Sequence, residues 1–285
     1  KPSKERWESV LREALGSEFE MLCGHTLQAT HCIVFLRREL VCFVTKLNSA
    51  AVSTGIGFGQ NRLGNKGAVA ITFSLGNKAL LFINAHLAHA RQGLQNRNAE
   101  YHKITSQLAR ELLDVEGLGD MSEDEAIEQL LTDMDYVVWA GDLNYRLEME
   151  REDVLDLLSS DRLPELLEAD QLVQARRNHD AFQGLEEAAI NFRPTYKYDS
   201  GTNQFDSSKK LRTPAWTDRI LYKAAEGFRV EEYTSIQNVL ISDHRPVYLS
   251  AEVELDLVSP SGSGPDGETE EQNLGQNTSQ VCAVM

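Results

Sequence analysis

The sequence predicts an α/β fold in which sheets pack together and are covered by helices. Runs of strand character are interleaved with stretches of helical periodicity. Four of the strand-like runs end in Asp, Asn or His, the arrangement in which loops carry function on a rigid scaffold. A 41% hydrophobic share over 285 residues supports a packed core, in one large domain or two small ones.

The elements follow in order. Residues 5 to 15 form an amphipathic helix, with Trp7, Val10, Leu11, Ala14 and Leu15 at helical spacing and Gly16 as its stop. From Thr26 to Leu87 the pattern turns to β-runs separated by turn residues: His31 to Leu36, Leu40 to Leu47, Ala68 to Leu75 and Ala79 to Asn84. Asn98 to Leu113 returns to helix. Asp114 to Asp135 is an acidic surface excursion, helical over Glu125 to Leu131. An apolar strand, Tyr136-Val137-Val138, comes next, and Glu152 to Leu158 and Pro164 to Leu167 are short covering helices. Ile220 to Tyr222, Val230 to Tyr233 and Val247 to Leu255 are strands. From Ser259 onward Gly, Ser, Pro, Glu, Gln and Asn dominate, so a domain over 1–258 is followed by a disordered acidic tail over 259–285.

Charge and cysteine usage exclude several classes. A net charge of −16 opposes a broad nucleic-acid footprint and a nonspecific grip on anionic membranes. An anionic substrate therefore needs a local basic pocket, and no nucleic-acid partner is expected. Cys23, Cys32, Cys42 and Cys282 lack the paired spacing of a zinc site and read as reduced, cytosolic thiols. No apolar run approaches the roughly 20 residues that span a bilayer.

The most informative segment is Trp139-Ala140-Gly141-Asp142-Leu143-Asn144-Tyr145-Arg146. Residues two apart in an extended chain face the same side. Asp142 and Asn144 would thus converge on one point, a pairing suited to holding and deprotonating a water beside a phosphate. The bland alternative is a strand end, a Gly-Asp turn and an Asn capping the next loop. Three further sites repeat the chemistry: Asn84-Ala85-His86-Leu87, Pro214 to Leu221 with Asp218, and Ser242-Asp243-His244-Arg245-Pro246.

At these residues the chain resembles the inositol polyphosphate 5-phosphatases, within the magnesium-dependent endonuclease, exonuclease and phosphatase superfamily. The segments Asn61 to Gly67, Asn84 to Leu87, Trp139 to Arg146, Pro194 to Asp199, Pro214 to Leu221 and Ser242 to Pro246 occur in the family's order. They cover about residues 20 to 255. The resemblance sharpens the fold to a four-layer α/β sandwich of two packed mixed sheets flanked by helices, with the site at one edge. It implies hydrolysis of the 5-phosphate of phosphoinositides such as phosphatidylinositol 4,5-bisphosphate, or of soluble inositol polyphosphates, with a magnesium ion (Mg2+) as cofactor. Asp142 would be the general base and Asn144 would steady the same phosphate. His244 would bind a phosphoryl oxygen, with Asp218 against its other ring nitrogen. Asp243 would lie near the metal or the water, and His86 would touch the scissile phosphate. Tyr196 and Lys197 would meet phosphates on the inositol ring; a half-buried rim position is the other reading of Tyr196. Lys66, in a Gly-rich loop, is an anion cradle or an ordinary tight turn. Arg97 and Asn98, at a helix start, reach a ring phosphate, or Arg97 is a solvated charge.

Three departures from the family's pattern are small: Ala68, Ala85 and Thr217 stand where Gly, Ser and Cys are usual. A fourth is large. The family begins with a strand ending in Asn and another ending in Gln-Glu, whose Glu ligates magnesium, and this sequence contains no Gln-Glu dipeptide. The expectation is therefore a chain lacking the first strands and the acidic metal ligand, and a poor catalyst on its own. A noncatalytic phosphoinositide-binding module is the alternative function, and a nuclease of the same superfamily is disfavoured by the acidic balance. Finally, Cys282-Ala283-Val284-Met285 fits a C-terminal prenylation box, which predicts reversible, peripheral membrane contact of a cytoplasmic protein.

Overall fold

The computed structural model describes residues 3–55, 66–89 and 93–257, together with the backbone of 277–284. The Gly-rich stretch Asn61 to Asn65 and tail residues 259–276 lie outside the described residues.

The frame is a five-stranded mixed sheet of β3 (Val44–Ser53), β4 (Gly67–Leu75), β5 (Lys78–His86), β6 (Tyr136–Asp142) and β7 (Asp218–Tyr222), paired in that order. Only β5 and β6 run parallel; the other neighbours are antiparallel. A parallel pair needs a long crossover, which α2 (Leu94–Leu112) and α3 (Glu123–Asp133) supply. Ser122 caps α3 through a reciprocal capping box with Glu125, which satisfies two otherwise orphaned donors.

Both faces of this sheet are covered, so its central strands read as continuous apolar runs rather than alternating ones. On one face Leu81, Ile83, Val137 and Trp139 pack against Tyr101, Ile104 and Leu108 of α2 and Leu130 of α3. On the other, Val138, Ala140 and Ile220 meet Tyr233, Val247, Leu249 and Ala251. Those last residues belong to the hairpin of β8 (Phe228–Ser235) and β9 (Val247–Leu255). The helices α4 (Arg151–Ser159) and α5 (Leu163–Glu168) close the same core through Val154, Leu158 and Leu166. A second hairpin, β1 (Phe19–Leu27) with β2 (Thr30–Arg37), extends the layer opposite the sheet. The expected sandwich of sheets flanked by helices is thus present, its mixed sheet at the centre and both facing hairpins antiparallel.

Several elements depart from the sequence reading. β1 is absent from that reading, because its half-buried residues give no clean alternation. The expected strand Leu40 to Leu47 is split: Arg38–Phe43 is a 3-10 turn and β3 begins at Val44. The leading helix α1 (Lys4–Leu15) is present and capped by Ser3, yet no residue on it is buried, and Trp7 is 52% exposed. The helix α6 (Gln171–Arg177) is a further addition; Asp170 caps it by accepting from the amides of Leu172 and Val173. The tail is corrected in part: Asn277–Val284 is not coil but a strand, β10, lying antiparallel on the edge of β9. Edge strands offer unpaired backbone donors and acceptors, and an extended tail satisfies them whatever its composition. No helix among the described residues is long and apolar enough to cross a membrane.

Candidate active site

The site forms where β5, β6 and β7 end. Register aligns His86 of β5 with Asp142 of β6, and Asp142 with Asp218 of β7. Gly141 makes the first alignment possible. A Cβ there would lie 2.0 Å from the Ala85 carbonyl oxygen, so only glycine lets the two strands approach this closely. His86 Nε2 sits 3.2 Å from Asp142 Oδ2, and the Lys66 ammonium contacts the same ring nitrogen.

Burial opposes ionisation of Asp142, but the hydrogen bond from His86 and the charges of His244, His86 and Lys66 hold its carboxyl below the usual range. Lys66 is lowered as well, which for an ammonium works against the charged form. Desolvation lowers its ammonium, while Asp142 and Glu100 oppose that shift. Of the two carboxylate oxygens of Asp142, Oδ1 is buried and has no hydrogen-bond partner. An orphaned buried acceptor is costly unless something occupies it in the working state. It is therefore aimed at a proton donor or a cation.

The second half of the site is an Asp–His pair. Asp218 lies 3.0 Å from Nδ1 of His244. Its Oδ2 also accepts from Thr195 Oγ1 at 2.7 Å and Thr217 Oγ1 at 2.9 Å. The Thr217 departure thus contributes a hydroxyl donor stronger than a thiol. Burial disfavours the charged ring of His244, but Asp218, with Asp142 and Asp243 beyond it, outweighs this and raises it to about 9. At neutral pH the site presents an imidazolium whose Nε2 remains for a ligand.

Tyr196 is bound into this corner by backbone hydrogen bonds to Ala215 in both directions, and its ring lies 4.7 Å from that of His244. Asn144 has its Nδ2 on the Leu87 carbonyl at 3.0 Å, so one of its two amide protons is committed to the protein. Lys197 forms an ion pair with Asp243. Asp243 therefore does not stand beside Asp142 as an independent acid: burial works against its charge, and Lys197 and His244 hold its carboxyl down.

Arg97 and Asn98 are both engaged by the scaffold. Arg97 is fully buried, donates to the Ala88 carbonyl at 3.2 Å and to Gln171 Oε1, and lies over the Tyr145 ring at 5.1 Å. Asn98 accepts from the Tyr145 hydroxyl at 2.7 Å. Both fasten α2 to the loop after β6, and Arg97 is not the solvated charge of the other expectation; a helix start marks them as polar but says nothing of depth. Conversely, Arg146, Thr195 and Thr217 belong to the site without having been singled out for it by the sequence. The Trp139 to Arg146 motif contains Arg146, but only its distance from Asn144 in space reveals a role.

Among the described residues, Asp142 Oδ1 is an unpartnered oxygen on the side where a metal or the attacking water would sit. Among the described residues no group of three or more His, Cys, Asp or Glu could hold an ion, so hard-cation binding here would rely on substrate oxygens and water as well.

Comparisons with known proteins identify the family of the chain. Residues 2–250 match the endonuclease/exonuclease/phosphatase family 2. The chain is 32% identical over 258 residues to the polyphosphatidylinositol phosphatase INP53 of Saccharomyces cerevisiae, covering 88% of this chain and 22% of the yeast protein. It is 32% identical over 253 residues to the human phosphatidylinositol polyphosphate 5-phosphatase type IV, covering 86% and 38%. It therefore spans well under half the length of these relatives. A crystal structure of the inositol polyphosphate 5-phosphatase domain of SPsynaptojanin, in complex with inositol (1,4)-bisphosphate and a calcium ion, superposes with a TM-score of 0.74 at 30% identity, over 100% of this chain and 71% of that one. The chain thus belongs to the endonuclease/exonuclease/phosphatase family 2, among relatives that are inositol polyphosphate 5-phosphatases.

Proposed function

We propose that this chain hydrolyses the 5-phosphate ester of phosphoinositides or soluble inositol polyphosphates. The observation that carries the proposal is the convergence of Asp142, His86 and the Asp218–His244 pair on the ends of three adjacent strands.

Hydrolysis of a phosphate monoester needs a positioned water and donors for the phosphoryl oxygens. Asp142 receives the proton of the attacking water at Oδ1, its one unengaged oxygen. Because its carboxyl is held acidic, it takes that proton as the water attacks rather than beforehand. His244, kept charged by Asp218, donates from Nε2 to a phosphoryl oxygen. Lys66 and the free amide proton of Asn144 stabilise the same group. The bond from water oxygen to phosphorus forms and the bond to the ring oxygen breaks; the leaving oxygen takes a proton from solvent to give the free 5-hydroxyl, and Asp142 returns its proton to solvent as inorganic phosphate departs. Lys197, paired with Asp243 in this structure, exchanges that partner for a ring phosphate, and Tyr196 lines the same side.

The divalent ion is proposed to be magnesium, which would neutralise phosphoryl oxygen charge beside Asp142. Membrane contact is proposed to be peripheral and to run through prenylation of Cys282, in a cytoplasmic setting. The test is phosphate release from phosphatidylinositol 4,5-bisphosphate and from inositol 1,4,5-trisphosphate, with magnesium and with chelator. Positional analysis of the product follows, with DNA as a parallel substrate. Loss of a phosphate from another ring position, or preferential cleavage of DNA, refutes the proposal.

A further inference from the structure

The geometry points to Arg146 as the positioning residue that sets the orientation of the Asn144 carboxamide and ties the general-base loop to the substrate-side loop at Tyr196. The inference rests on the proposed phosphatase site but concerns a residue that touches no reacting atom.

Arg146 is 8% exposed, and its guanidinium is spent on the site rather than on solvent. Its Nη2 donates to Asn144 Oδ1 at 2.5 Å, and its Nε donates to the Asn144 carbonyl at 3.1 Å. The same group lies 4.5 Å over the Tyr196 ring. The backbone of Arg146 is itself fixed, since its amide donates to Gln171 Oε1 at 2.9 Å and its carbonyl accepts from the Gln171 amide at 2.9 Å.

The consequence for Asn144 is a single allowed amide orientation. Its Nδ2 donates to the Leu87 carbonyl at 3.0 Å while its Oδ1 faces the guanidinium. Turning the amide over would set oxygen against the Leu87 carbonyl and two donors against each other at Arg146, and both contacts would be lost. With the orientation fixed, the remaining amide proton has one direction to point. Asn144 also sits at φ 57°, a left-handed conformation that asparagine tolerates better than other non-glycine residues and that the Arg146 contact helps to hold. Stacking on Tyr196 then makes the two loops move together. A lysine could carry the charge but not the planar two-point grip or the stack.

The test uses the full chain and the variants Arg146→Lys, Asn144→Ala and their combination. Arg146→Lys should lower kcat by about 100-fold, the cost of a roughly 1 Å misplacement near the chemistry, with a much smaller change in KM. The double variant should lose much less than the product of the two single losses, because Arg146 acts chiefly through Asn144. A wild-type kcat for Arg146→Lys, or multiplied losses in the double variant, overturns the inference. A readout independent of turnover is the NMR signal pair of the Asn144 side-chain amide, assigned by its disappearance in Asn144→Asp. The pair should be resolved and slow to exchange in the wild type and should shift and exchange faster in Arg146→Lys. If it is unchanged, Arg146 does not orient Asn144. Absence of phosphate release from the wild-type chain would count against the proposed function, and the amide signals would still decide the role of Arg146.

Discussion

Replacing Asp218 by Asn should uncouple the charge of His244 from neutral pH. The ring is raised from 6.5 to about 9 against the cost of its burial, chiefly by the carboxylate 3.0 Å from its Nδ1. At about 1.4 kcal/mol per pH unit, a shift of this size corresponds to roughly 3 kcal/mol favouring the charged ring in the folded state. The folded value lies above the unfolded one. The stabilisation is therefore fully present below about pH 6.5 and is lost as pH rises through about 9. In the Asp218→Asn variant the new carboxamide would keep the hydrogen bonds from Thr195 and Thr217 through its carbonyl oxygen, but the charge would be gone. Burial then acts with less opposition, and the imidazole should titrate near or below its ordinary value. Two measurements follow: the His244 Cε1 proton shift against pH, and urea unfolding of both proteins at pH 6 and pH 10. The stability gap between wild type and variant should be widest at pH 6 and should shrink by roughly 3 kcal/mol at pH 10. The alkaline limb of activity should also fall to lower pH in the variant. A gap that does not change with pH, or an imidazole still titrating near 9 in the variant, would refute the account of the Asp218–His244 pair.

Three further outcomes are expected. Asp142→Asn should lower turnover by about 100- to 10,000-fold, the usual worth of a general base, with substrate affinity retained in an equilibrium binding assay; unchanged turnover would remove Asp142 from that role. Gly141→Ala should destabilise the fold by at least about 2 kcal/mol, because the added methyl has nowhere to go but the Ala85 carbonyl, and an unaltered melting temperature would contradict the close approach of β5 and β6. Cys282→Ser should reduce the membrane-bound fraction in cell fractionation, and an equal fraction would rule out a lipid on that residue.

The parts of the fold legible in the sequence are those with one dominant signal. β9 is legible to the residue over Val247–Leu255, since apolar residues alternate with polar ones along it and Pro246 marks its start. The middle of α3 is legible over Glu125 to Leu131 from its helical spacing, while its first turn and the Ser122 cap emerge only in the structure. Elements that depend on tertiary partners are not. β1 has no buried face of its own, α6 is seven residues held by an Asp170 cap and a buried Arg219, and β10 exists only because β9 offers an edge. In each case the information resides in another segment of the chain.

The site divides along the same line. Strand-end polarity marks Asp142, His86, Asp218 and His244, because a carboxylate or imidazole at the end of an apolar run has few purely structural uses. Arginines carry no such signature. Arg97 and Arg146 each lie within a few positions of a helix start or a strand end, yet one is sealed into the scaffold on Tyr145 and the other stacks on Tyr196 beside the candidate site. Gln171 makes the difference. Its side-chain oxygen accepts from both the Arg97 guanidinium and the Arg146 backbone amide. The first arginine is thereby drawn into the scaffold, and the second is held so that its guanidinium reaches Asn144. A residue 25 positions beyond Arg146 in sequence thus sorts one arginine into structure and the other into the site, and only the folded chain brings the three together.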